Sequence, residues 1–164
     1  MNIVLVGFPG SGKTTVGRRL AGKLGVAFID LDLYIEEKYH TAVPLLFQKY
    51  GEPAFRALEY AALCEVLAKD GVVIATGGGA PCHADAMAKI NARARSIYLQ
   101  LTEEELVERL LHSKKKRPLT NSLAEPDLRA YVHETLANRE PFYRLADIVW
   151  TPEEADKLPL QEVL

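Results

Sequence analysis

Short apolar runs alternate with longer amphipathic segments along the whole chain. The runs are apolar almost throughout and end at glycine or polar residues, which predicts strands at residues 3–6, 26–29, 72–75, 96–99 and 147–150. Continuous rather than alternating apolar character is typical of strands that are covered on both faces. The pattern therefore predicts an α/β fold, a three-layer sandwich around a five-stranded parallel sheet.

Helices are predicted between these strands from the spacing of apolar positions. Gly25 marks the end of the first helix, Gly51 separates two helical segments, and Thr102 with Glu105 forms a capping-box signature. The predicted helices cover residues 14–24, 33–39, 44–50, 53–69, a segment ending near 92, 103–111, 128–138 and a short stretch before 164. The length of 164 residues fits one domain, 1–164, and no repeat or linker is visible.

Charge and composition exclude several function classes. The chain has 20 basic and 22 acidic residues, and this balance argues against a dedicated nucleic-acid-binding protein. The apolar run at the N-terminus is too short to span a membrane, so we expect a cytoplasmic protein that binds no membrane, with a monomer as the default. Cys64 and Cys82 have no disulfide or zinc spacing, and we expect reduced, mostly buried thiols.

A glycine-rich segment follows the first predicted strand. Residues 7–14, GFPGSGKT, match the pattern G-x-x-x-x-G-K-[ST] between a strand and an amphipathic helix. The backbone of such a loop directs N–H groups at phosphate oxygens, its lysine reaches the β- and γ-phosphates, and its threonine hydroxyl binds Mg²⁺. The motif predicts an ATP site made by Gly10, Ser11, Gly12, Lys13, Thr14 and Thr15, with Thr14 as a ligand of Mg²⁺.

Two carboxylates follow the second predicted strand, at the sheet edge where ligands bind in open α/β folds. Asp30 and Asp32 would share a face if the segment were extended. One could then contact the hydration shell of Mg²⁺ and the other could accept a proton from a hydroxyl. The alternative is that Asp32 only caps the next helix.

Three further features are ambiguous when taken singly. Arg56 and Glu59 lie at i, i+3 on a predicted helix, and the simplest interpretation is a surface ion pair. Arg139 is a single arginine before a segment interrupted by proline. The triplet 77–79, three glycines after a strand, suits the close approach of a ligand to the backbone, although a flexible loop is the alternative.

Taken together, these motifs resemble the shikimate kinase family along essentially the whole chain. Order and spacing agree for the phosphate loop and for five further segments: FIDLD at 28–32, FRALE at 55–59, VIATGGG at 73–79, RPL at 117–119 and REPFY at 139–143. The resemblance implies a P-loop kinase fold with strand order 2-3-1-4-5. It also implies transfer of the ATP γ-phosphoryl group to the 3-hydroxyl of shikimate, in chorismate and aromatic amino acid biosynthesis.

The resemblance assigns roles to single residues. It implies that Asp32 binds the shikimate hydroxyls and acts with Lys13 and Arg117 in catalysis, and that Asp30 lies near Mg²⁺ through water. A substrate-binding region at about 31–60 and a lid at about 112–122, which brings Arg117 onto ATP, are also implied. The expected substrate-binding residues are Asp32, Arg56, Gly77, Gly78, Gly79 and Arg139.

The sequence also departs from the family pattern and leaves other functions open. Residues 80–82 read APC, three lysines precede Arg117, and Arg109 is only the nearest candidate for an arginine beside adenine. The alternatives are a gluconate or nucleoside monophosphate kinase of the same fold, or an inactive shikimate-binding regulator.

Overall fold

The computed structural model describes residues 1–113, 120 and 123–164, and within them a five-stranded parallel sheet has the order β2-β3-β1-β4-β5. The strands are β1 Asn2–Val6, β2 Ala27–Asp30, β3 Val72–Ala75, β4 Ala94–Leu99 and β5 Ile148–Trp150. Every pairing between them is parallel. The predicted sandwich and strand order are therefore confirmed.

Four strands differ from the predicted bounds, β1, β2 and β5 by one residue and β4 by two residues at its start. The strand β4 begins at Ala94 because it pairs with the whole of β1, from Asn2 opposite Ala94 onward, and main-chain pairing does not require apolar side chains. The strand β2 was predicted to be buried but lies at the sheet edge, where Ala27 is exposed and its other residues are half-buried.

Helices cover both faces of the sheet. They are α1 Lys13–Leu24, α2 Leu31–Tyr39, α3 Val43–Leu67, α4 Ala86–Arg93, α5 Glu103–Leu111, α6 Glu125–Tyr143 and α7 Pro152–Lys157, with 3₁₀ turns at Ala80–Cys82 and Leu160–Glu162. The capping box of Thr102 and Glu105 is present at the start of α5. Among the described residues, none of the helices combines the length and apolar character that a bilayer crossing requires.

Several helices have other bounds than predicted. The helix α2 begins two residues early and includes Asp32. The stretch α3 consists of two helical segments that meet at a kink at Gly51, whose φ of 80° is not helical, so the predicted separation at Gly51 is confirmed. The helix α6 does not end at 138 but continues through Pro141 to Tyr143. Proline removes only one intrahelical hydrogen bond, and the fully buried Tyr143 ring stabilises the last turn by packing.

Side chains of β1 alternate between two hydrophobic clusters, which explains its uninterrupted apolar sequence. Val4 and Val6 pack with helices α2 to α6 on one face, whereas Ile3 and Leu5 pack with α1 and α7 on the other. Because all strands are parallel, their carboxyl ends meet at one edge. The segments that follow β1, β2 and β3 therefore lie side by side.

Candidate active site

A cleft of about 920 Å³ lies at this edge of the sheet. It brings together, from the predicted site residues, Gly10, Gly12, Lys13, Thr14, Thr15, Asp30, Asp32, Arg56, Gly77, Gly78, Gly79 and Arg139. Ser11 is buried beside an adjoining cavity of about 180 Å³ that Arg109 also lines. Arg117 and most of the predicted lid lie outside the described residues.

The glycine-rich loop turns tightly between β1 and α1. Gly10 and Gly12 have φ of 88° and 96°, a left-handed conformation that side chains rarely adopt. The N–H of Ser11 donates to the carbonyl of Phe8 at 3.1 Å, and α1 begins directly after Gly12. The first N–H groups of α1 therefore border the cleft, where they can bind an anion.

Lys13 is buried at the start of α1, where a cation has no hydrophobic role. Its Nζ donates to the carbonyl oxygens of Gly7 at 2.7 Å and Phe8 at 3.0 Å. These bonds hold the ammonium group inside the curve of the loop, beside the cleft, where it can neutralise phosphate oxygens.

Thr14 and Asp30 connect the glycine-rich loop to the end of β2. Thr14 Oγ1 donates to Asp30 Oδ2 at 3.2 Å, and Asp30 Oδ1 accepts from the N–H groups of Asp32 at 3.0 Å and Leu33 at 3.2 Å. No group of three or more His, Cys, Asp or Glu among the described residues could enclose a metal ion. A hydroxyl and a carboxylate fit Mg²⁺ nevertheless, because this ion takes few protein oxygens and completes its shell with water and phosphate.

Asp32 lies in the first turn of α2, and the hypothesis that it caps this helix is wrong. The cap is Asp30, whose carboxylate accepts from the N–H groups of Asp32 and Leu33. The premise of an extended segment with both acids on one face is also wrong, since Asp32 is helical. Its carboxylate is directed at the triple glycine: a β-carbon on Gly77 would lie 3.1 Å from Asp32 Oδ1.

Arg56 and Glu59 form an ion pair in the wall of the cleft, with the carboxylate buried and the guanidinium partly buried, so the prediction of an ordinary surface pair is wrong. Arg56 Nη1 lies 2.8 Å from Glu59 Oε1, and the Glu59 side chain is only 3% exposed. The guanidinium also lies over the rings of Phe47 and Phe55, at 5.9 and 5.6 Å from their centroids. Burial raises the pKa of Glu59. The charge of Arg56 lowers this pKa, and the charge of Asp32 raises it further.

Each glycine of the triplet lies against a side chain of the cleft. A β-carbon on Gly78 would lie 2.5 Å from Pro9 Cδ and 2.9 Å from Arg139 Nη1, and one on Gly79 would overlap the guanidinium of Arg56. Close packing therefore favours glycine at 78 and 79, where a β-carbon would lie less than 3 Å from a neighbouring side chain. Arg56 and Arg139 place two cations beside one short stretch of backbone.

The comparisons with known proteins agree with this geometry. Residues 9–163 match the family model described as Shikimate kinase. The chain belongs to the shikimate kinase family. A shikimate kinase of Parabacteroides distasonis is 46% identical over 152 residues, which cover 93% of this chain and 88% of the relative.

Solved structures of shikimate kinases have the same fold. The crystal structure of the Bacteroides thetaiotaomicron enzyme has a TM-score of 0.94 at 37% identity and covers 100% of this chain and 99% of its own. The Acinetobacter baumannii shikimate kinase in complex with shikimate has a TM-score of 0.87 at 36% identity, with coverage of 98% and 90%. A Sinorhizobium meliloti gluconokinase, at 22% identity and a TM-score of 0.66, shares the fold alone.

Sequence reasoning missed two residues that shape the site of this shikimate kinase family member. Glu59 holds Arg56 from a buried position, and Pro9 packs against the triple glycine. The spacing of Arg56 and Glu59 was a usable signal for Glu59, because an ion pair on a helix can face inward as well as outward. No signal pointed to Pro9, whose partner is far away in the sequence.

Proposed function

We propose that the protein transfers the γ-phosphoryl group of ATP to the 3-hydroxyl of shikimate, giving shikimate 3-phosphate and ADP. The observation that carries this proposal is the arrangement around the triple glycine. Arg56 and Arg139 flank it, the Asp32 carboxylate approaches Gly77, and the phosphate loop adjoins it through Pro9. Two cations suit the carboxylate of the acceptor, and one nearby carboxylate suits its hydroxyls.

On the nucleotide side, the backbone N–H groups of Gly10, Gly12 and Thr15 would bind the phosphates, the hydrogen bond from Ser11 N–H to Phe8 would hold the loop in shape, and Lys13 would neutralise charge on the β- and γ-phosphoryl oxygens. Thr14 would hold Mg²⁺ directly and Asp30 through water. When bound, this ion supplies charge neutralisation at the phosphoryl oxygens. The Thr14–Asp30 pair of oxygen donors supports these two assignments.

On the acceptor side, Asp32 would orient the 3-hydroxyl and accept its proton as the phosphoryl group is transferred. Arg56 and Arg139 would bind the shikimate carboxylate, and backbone N–H of the segment 77–79 would complete the subsite. The buried Glu59 fixes the Arg56 guanidinium before substrate arrives, which lowers the entropy lost on binding.

Other parts of the proposal rest on the sequence. Arg117, which lies outside the described residues, would bring a further positive charge to the phosphates. The family motif at 117–119 supports this role. We also propose a monomer in the cytoplasm that works without nucleic acid or a membrane. Its net charge of −2 and its relatives among bacterial shikimate kinases support this.

A coupled assay of ADP release with ATP, Mg²⁺ and one acceptor at a time tests the function. The acceptors are shikimate, gluconate, AMP and CMP. Turnover is expected with shikimate and hardly any with the other three. Equal or better turnover of a nucleotide would overturn the proposal, and shikimate binding by calorimetry without turnover would indicate an inactive regulator.

A further inference from the structure

The C-terminal end of α6 carries a tyrosine that contacts the backbone of the triple glycine at 77–79. Tyr143 is fully buried, and its hydroxyl donates to the carbonyl oxygen of Gly78 at 2.6 Å. Burial raises the pKa of Tyr143, and the charge of Arg139 acts against this. The hydroxyl therefore stays protonated, and remains a donor, at neutral pH.

Tyr143 and Arg139 act on the same glycine from the same helix. They are four residues apart on α6 and therefore share one face. The Arg139 guanidinium lies 2.9 Å from the position that a β-carbon on Gly78 would take. One rigid element thus sets the position of a cation in the cleft and of the loop backbone beside it.

The loop needs such an anchor because it has no side chains of its own. Three consecutive glycines have more backbone freedom than any other tripeptide. The peptide group that joins Gly78 to Gly79 is planar and trans, so a carbonyl held toward the buried Tyr143 turns the N–H of Gly79 in the opposite direction. Gly79 lines the cleft, so this direction is important for any ligand bound there.

A neighbouring tyrosine lacks this contact and provides a matched comparison. Tyr98 on β4 is equally buried, and its ring packs on that of Tyr143 with centroids 5.2 Å apart. Its hydroxyl donates instead to Glu140 Oε2 at 3.2 Å, and Glu140 also pairs with Arg144. The two rings are in contact, but the two hydroxyl groups have different partners, a backbone carbonyl for Tyr143 and a carboxylate for Tyr98.

We propose that Tyr143 is a positioning residue for the shikimate subsite, which it serves by holding the Gly78 carbonyl so that the triple glycine presents its N–H groups to the substrate. This inference rests on the proposed function. It assigns to Tyr143 no contact with shikimate and no part in proton transfer.

Steady-state kinetics of the wild type, Tyr143→Phe and Tyr98→Phe test the inference, with melting temperatures measured in parallel. Tyr143→Phe is expected to raise the KM for shikimate about three- to tenfold, the size of one lost neutral hydrogen bond. Its kcat and its KM for ATP should stay within about twofold of the wild type, since the bond acts on substrate and transition state alike. The melting temperatures of Tyr143→Phe and Tyr98→Phe should fall by similar amounts. Tyr98→Phe should leave kcat, the KM for shikimate and the KM for ATP unchanged.

Amide hydrogen exchange of the free protein gives a second readout that needs no activity. Exchange at Gly78 and Gly79 should accelerate in Tyr143→Phe and not in Tyr98→Phe, with Leu5 in β1 unchanged in both. The inference would be overturned by an unchanged KM for shikimate, since the hydroxyl would then have no role in substrate binding. It would also be overturned by equal kinetic effects of the two variants or by failure of Tyr143→Phe to fold, since the hydroxyl would then serve only the general fold. A wild type inactive on shikimate would instead overturn the proposed function.

Discussion

Arg56 occupies the space that a side chain at residue 79 would need. A β-carbon on Gly79 would lie 2.6 Å from Cζ of Arg56, and the guanidinium cannot easily move away because Glu59 holds it at 2.8 Å. The backbone of Gly79 is not the obstacle, since its φ of −92° is open to any residue. Glycine is therefore needed at 79 for the position of Arg56.

This relationship predicts the effect of Gly79→Ala. The added methyl group should displace the guanidinium and raise the KM for shikimate by about 10- to 100-fold, within the range expected when a buried charge pair is disturbed. The KM for ATP should change little. Gly22→Ala is the control, because a β-carbon there meets nothing within 4 Å and alanine favours helix α1. Kinetics within twofold of the wild type in Gly79→Ala would show that Arg56 does not bind the acceptor.

Asp32→Asn should separate catalysis from stability. We expect kcat to fall by about 10²-fold or more, the usual loss for a general base, while ATP still binds. The melting temperature should hardly change because Asp30, and not Asp32, caps helix α2. Calorimetry with ATP and a thermal melt give the two controls, and a kcat near the wild-type value would contradict the proposed role of Asp32.

Asp30→Asn should separate the helix cap from the Mg²⁺ site. Asparagine caps helices about as well as aspartate, so stability should be retained. The loss of negative charge beside Thr14 should raise the Mg²⁺ concentration needed for half-maximal activity by about tenfold, or 1.4 kcal/mol. Asp30→Ala, which removes the cap as well, should cost about 1 kcal/mol of stability in urea denaturation. An unchanged Mg²⁺ requirement in Asp30→Asn would exclude Asp30 from the metal site.

The buried carboxyl of Glu59 predicts a pH dependence of stability. Burial raises its pKa in the folded protein above the ordinary value of 4.5. The stabilisation that such a group contributes is fully present below the unfolded pKa and is lost as the pH rises through the folded pKa. The free energy of unfolding of the wild type should therefore fall relative to that of Glu59→Gln as the pH rises from about 4 to 7.

Urea denaturation of both proteins at several pH values measures this difference, and groups common to both cancel. Glu65→Gln is a suitable control, since the pKa of the exposed Glu65 is lowered by its hydrogen bonds with Lys38 and Tyr34. Its difference curve should have the opposite sign, with stabilisation lost on acidification. A flat or rising curve for Glu59 would mean that its charge is fully compensated by Arg56.

Local sequence was sufficient to predict the existence of the strands and helices and the tight turn of the glycine-rich loop. The segment 7–14 predicted the phosphate loop, because a tight turn, a helix start and a lysine are all encoded within eight consecutive residues. Thr102 and Glu105 likewise predicted the start of α5. Resemblance to a family, rather than periodicity, supplied the strand order, since apolar runs do not say which strands are neighbours.

Tertiary structure decided which side chains share the cleft and which of two similar residues has which task. Arg56 and Glu59 have the spacing of a surface pair, and only the packing of α3 against neighbouring elements turned them inward. Asp30 and Asp32 are two residues apart, and the start of α2 determined that the first caps the helix while the second faces Gly77. The hydrogen bond from Tyr143 to Gly78 joins residues 65 positions apart. Such contacts depend on how distant segments pack together, and no pattern within one segment contains that information.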